Sequence, residues 1–159
     1  MSWFVRNVRE LQWQENELGA TAEFDRPEHF DEFGINLTSL APGQAMTMYH
    51  RESYQEGFLV LRGECLLIVE GAEVPLSQWD YVHSPRGTTH AIVGAGRSRS
   101  LVLAVGGRVG LDEITYAVDP AALRHGAGVE VETHVPKEAY ARFTRPAPPV
   151  PFREEFLSG

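Results

Sequence analysis

Residues 43–90 constrain this chain more than any other stretch. Apolar and polar residues alternate there in short runs, and Gly and Pro punctuate them every eight to twelve residues. Strand signals run on either side as well. Residues 33–40, 65–69, 79–84, 90–93, 101–105 and 115–118 read as strands, and Pro42-Gly43, Arg62-Gly63 and Glu70-Gly71 read as turns. Many short strands separated by turns predict an all-β sandwich or barrel.

Metal-type side chains sit inside this stretch. Side chains alternate faces along a strand, so His50 and Glu52 share a face with Met46 and Met48, while Tyr49 and Arg51 take the other. Glu56, Phe58 and Val60 form a second same-face series, and His90 follows the turn Pro85–Thr89. Two histidines and two carboxylates on one face would suit a divalent cation: Mn(II), Fe(II), Ni(II) or Zn(II).

These residues resemble the two motifs of the cupins, small jelly-roll barrels built as a double-stranded β-helix. The first motif runs Gly, five residues, His-x-His, three or four residues, Glu, six residues, Gly. Here it reads His50-x-Glu52, Glu56, Gly63. The second runs Gly, five residues, Pro-x-Gly, two residues, His, three residues, Asn, and here Pro85-x-Gly87-x-x-His90 is intact. The chain departs from the pattern at four places. Gly43 lies one residue too early, Glu52 replaces the second His, Trp79 stands at the Gly position, and Gly94 at the Asn position. The resemblance implies a metal centre of His50, Glu52, Glu56 and His90, with the usual three-His set altered at Glu52.

The expected organisation is an N-terminal arm over 1–33, a barrel over 34–118, and a helical segment with a proline-rich tail over 119–159. Asp119 as N-cap, Pro120 at the first position and Gly126 at the stop predict a short helix, and residues 136–143 a second. The aromatics Phe152 and Phe156 close the proline-rich segment, which predicts that it packs on the barrel or on a neighbouring subunit.

Net charge −8 argues against nucleic acid, no apolar run reaches the length of a membrane span, and Cys65 is the lone cysteine. A cytoplasmic setting and a homodimer are the expectation. Met48, Phe58, Tyr81 and His83 are candidates for contacting a substrate. The function expected is metal-dependent chemistry on a small organic molecule, dioxygenase-like or isomerase-like. The alternative is a non-catalytic module that binds a sugar or aromatic acid.

Overall fold

A computed structural model describes residues 3–110 and 112–159. Twelve strands are present among them: β1 (Trp13–Asn16), β2 (Gly19–Glu23), β3 (Phe33–Leu40), β4 (His50–Glu52), β5 (Glu56–Arg62), β6 (Glu64–Val69), β7 (Ala72–Leu76), β8 (Tyr81–Ser84), β9 (His90–Ala95), β10 (Ser100–Gly107), β11 (Ile114–Tyr116) and β12 (Pro149–Val150). They form a seven-stranded sheet, ordered β12-β1-β2-β3-β10-β5-β8, and a five-stranded sheet, ordered β11-β4-β9-β6-β7. All the pairings are antiparallel. The architecture is all-β, as the alternation predicts, and is the jelly-roll barrel that the cupin resemblance implies.

Between the sheets, Leu40, Phe58, Val60, Cys65, Leu67, Ile92 and Val102 pack together. Cys65 behaves as a small core residue: burial raises its thiol pKa, and its hydrogen-bond partner is Ser100. A second cluster lies on the outer side of the seven-stranded sheet. There Trp13, Ala20, Ala22 and Leu37 meet Phe156. Phe156 is 1% exposed and its ring lies 4.7 Å from that of Trp13, so the C-terminal segment covers this face. Val150 pairs with Trp13 and ties the same segment into the sheet edge. The arm is itself structured, since β1 and β2 extend the seven-stranded sheet beyond β3.

Three short helices follow the strand region: α1 (Pro120–Arg124), α2 (Pro136–Ala139) and α3 (Glu155–Ser158). Asp119 caps α1 as its sequence predicts, its side chain accepting a hydrogen bond from the Ala122 N–H at 2.9 Å.

Two motif departures have structural explanations. Trp79 adopts φ +77°, so the backbone keeps the left-handed conformation expected of a glycine at that position. A Cβ on Gly94 would overlap the Ala41 carbonyl oxygen and stand 3.0 Å from Leu40 Cβ, so the Asn of the cupin motif has no room here. One reading is corrected. Residues 46–49 do not extend β4, and Met46 and Met48 join different clusters instead of sharing a face.

Candidate metal centre

Each sheet contributes to the site. His50 opens β4 and His90 opens β9, and the two residues are direct cross-strand partners in the five-stranded sheet. Glu56 opens β5 in the seven-stranded sheet. Opposite residues on one face of an antiparallel pair are close neighbours, and the two imidazole centroids are 5.1 Å apart. One donor atom from each of His50, Glu56 and His90 lies within 4.8 Å of the others.

Both imidazoles are held in the same way. His50 Nδ1 lies 2.7 Å from the Met48 carbonyl, and His90 Nδ1 lies 3.0 Å from the Thr88 carbonyl. A carbonyl can only accept, so each Nδ1 carries the hydrogen. In the neutral ring, Nε2 then presents its lone pair, the form that a metal takes. Ser84 Oγ, buried and opposite Glu56 across β5 and β8, lies 3.1 Å from His90 Nδ1 and fixes that ring further. Phe58 packs its ring 5.3 Å from His90, and Tyr116 lies 5.9 Å from His50 on the other side.

The two carboxylates differ. Glu56 Oε2 stands 3.0 Å from His90 Nε2 but is not aligned for a hydrogen bond, and this buried nitrogen has no hydrogen-bond partner among the described residues. An orphaned buried ring nitrogen beside a carboxylate and a second imidazole fits a cation-binding site. Glu52 shares the face of His50, and its Oε1 lies 2.8 Å from His50 Nε2. It is not among the three groups that converge. Burial works against a charged His50, but the hydrogen bond to Glu52, the charges of Glu56 and Glu52 and the Met48 carbonyl outweigh it and raise the pKa. The imidazoles are 4% and 3% exposed, against 25% for Glu52 and 16% for Glu56, so the carboxylates form the approachable side.

The four residues expected to contact substrate divide. Phe58 lies against His90. Met48 is fully buried and touches the site through its carbonyl. Tyr81 and His83 lie on the outer face of β8, because Val82 and Ser84 oppose Phe58 and Glu56 and take the inward positions. Tyr81 is 64% exposed and lies over Gly57, and His83 meets Gln55 at 3.3 Å. Sequence reasoning missed Ser84, Thr88, Tyr116 and Tyr140. The parity of β8 relative to Glu56 was the only signal for Ser84, and it depends on strand register.

Residues 36–106 match the family model described as the cupin domain. Several solved structures share the fold. A putative sugar phosphate isomerase from Acidithiobacillus ferrooxidans is 25% identical, with 60% of this chain and 64% of that chain covered and a TM-score of 0.54. Polyketide cyclase RemF from Streptomyces resistomycificus is 16% identical, with 67% and 80% covered and a TM-score of 0.59. KdgF from a Halomonas species is 23% identical, with 69% and 96% covered and a TM-score of 0.56. No curated protein matches the chain. Over residues 36–106 the chain carries a cupin domain. Among the described residues, no helix is long and apolar enough to cross a membrane.

Proposed function

We propose that this cupin holds one divalent metal ion through His50, Glu56 and His90, with Glu52 as a fourth group, and acts as an enzyme on a small organic molecule. The observation that carries this reading is the convergence of three donor atoms around the orphaned Nε2 of His90. A metal bound there would supply Lewis acidity or a redox centre. The buried imidazoles and the Phe58 ring keep water from the inner side. Glu52, the most exposed of the four, stands where it can take a proton from a bound molecule.

Two carboxylates would balance the charge of a divalent ion, where a histidine at position 52 would leave a net positive site. Negative charge beside a metal weakens its Lewis acidity and favours the oxidised state. This favours iron or manganese with dioxygenase-like chemistry. Isomerase-like chemistry uses the same four residues, with Glu52 moving the proton.

The test is turnover by protein reconstituted separately with Fe(II), Mn(II), Ni(II) and Zn(II) and supplied with small organic acids, phenols and sugars. Oxygen uptake that requires Fe(II) or Mn(II) is the expected result. Solvent deuterium incorporation without oxygen uptake would assign isomerase-like chemistry. Metal-loaded protein that binds these molecules but turns over none of them would replace the enzyme reading with the non-catalytic binding module.

A further inference from the structure

The sheet extension has its polarity reversed. Strands β1, β2 and β3 bury apolar side chains on their outward face, where Trp13, Ala22 and Leu37 meet Phe156. Their inward face is polar up to Leu40, which ends β3 in the core between the sheets. Gln14, Thr21 and Thr38 stand side by side in one cross-strand row, and Glu23 and Asn36 in the next. The inward face of a barrel strand ordinarily supplies apolar core. A polar inward face conflicts with the packing rule and marks a place shaped for something other than core.

This face lines a half-open cavity of about 510 Å³, which Met46, Thr47, Tyr140 and Arg145 also line. The size lies within the usual range for small-ligand sites. Thr21 and Thr38 share a hydrogen bond at 3.2 Å, and Thr38 donates to Asn36 Oδ1 at 3.3 Å. No hydrogen bond among the described residues engages the Gln14 amide, the Asn36 amino group or the Thr47 hydroxyl. Arg26 is paired with Glu23. Arg145 has no carboxylate partner among the described residues, and its guanidinium lies 4.2 Å from the centre of the Tyr140 ring. The cavity therefore offers several neutral donors and acceptors and one cation whose partner is the Tyr140 side chain and no carboxylate among the described residues.

The cavity wall also connects with the metal centre. The Tyr140 hydroxyl accepts the Met48 N–H at 3.1 Å, and the Met48 carbonyl holds His50 Nδ1 at 2.7 Å. Tyr140 packs edge-on against Tyr116 at 5.7 Å, and Tyr116 lies against His50.

We propose that this cavity binds a small polyhydroxylated molecule bearing one anionic group, carboxylate or phosphate. Its hydroxyls meet Gln14, Asn36 and Thr38, and its anionic group meets Arg145. That the molecule is the substrate of the metal centre rests on the functional reading above; that it binds does not.

The experiment is isothermal titration calorimetry on metal-free and metal-loaded protein. The probes are five- and six-carbon aldonates and sugar phosphates, with glucose and hexanoate as the uncharged and unhydroxylated comparisons. At least one aldonate or sugar phosphate is expected to bind saturably, one per chain, with glucose and hexanoate weaker by about ten-fold or more. Whether aldonates or phosphates bind best identifies the anionic group. Arg145→Gln and Asn36→Ala are each expected to weaken binding by about ten-fold, with metal content unchanged and melting temperature lowered by no more than about 6 °C, and Arg145→Lys to restore part of the binding loss. Absence of binding by every charged probe, or binding that both variants leave intact, would overturn the proposal. Failure here with stoichiometric metal would leave the metal reading standing. Binding by a protein that takes up no metal would leave only the cavity.

Discussion

Replacing Gly94 with alanine adds one methyl group and tests how tightly β9 is set against the chain beside it. The Cβ would overlap the Ala41 carbonyl oxygen and stand 3.0 Å from Leu40 Cβ and 3.1 Å from the Ala41 carbonyl carbon. Neither side can yield by a rotamer change. Gly94 N–H donates to the Gln44 carbonyl at 2.9 Å, and the Gly94 carbonyl accepts from Gly43 N–H at 2.8 Å, so the two backbones are locked together. Overpacking typically costs about 1–3 kcal/mol. Backbone on both sides places this case at the upper end, about 3 kcal/mol. For a chain of this length that corresponds to roughly 6–12 °C in melting temperature. Gly87→Ala is the control, because Gly87 has φ +79° and nothing within 4 Å of a built Cβ. It bears only the left-handed backbone cost, about 1–2 kcal/mol. Urea unfolding of both variants, with unchanged slopes, checks the difference. A Gly94→Ala cost at or below that of Gly87→Ala would refute the close approach.

Further outcomes are expected. Phe156→Ala should cost about 3–5 kcal/mol in urea unfolding, because its ring is buried on Trp13; a loss below about 1 kcal/mol would contradict the packing of the C-terminal segment. Asp25 is 1% exposed and 2.6 Å from Arg108. Burial raises its pKa, but the Arg108 hydrogen bond and charge and the surrounding backbone N–H groups hold it below its ordinary value. Its contribution to stability is therefore present above the unfolded value of about 3.9 and is lost as pH falls through the lower folded value. Asp25→Asn should flatten the acid limb of urea midpoints measured from neutral pH down to about pH 3, and an unchanged limb would contradict the pairing. Tyr81→Ala and His83→Ala should leave metal content and ligand affinity unchanged, as measured by elemental analysis and calorimetry, since both side chains lie on the outer face of β8.

Much of the barrel was legible in the sequence because alternation and turn chemistry are local. His50 and Glu52 sharing a face, and the turn before His90, needed only strand parity and Pro-x-Gly. The approach of Glu56 to His90 joins two sheets, so it came through the cupin resemblance. Register accounts for most of what was misread. A substrate-facing place for Tyr81 and His83 needs the inward parity of β8, and the pairing of Ser84 with Glu56 gives that parity to Val82 and Ser84. β7 was overlooked because Pro75 interrupts a short run rich in exposed residues. The polar face of β2 could not be anticipated, since alternation gives two faces and does not say which one the core takes.

Elemental analysis of protein purified without chelator, alongside His50→Ala, Glu52→Ala, Glu56→Ala and His90→Ala, tests the central claim most directly. About one divalent ion per chain in the parent protein, lost in the His50, Glu56 and His90 variants, is the predicted result. Retention in Glu52→Ala would keep the three-donor centre and remove Glu52 from it. A parent protein that holds no metal after reconstitution with iron, manganese, nickel and zinc would contradict the account.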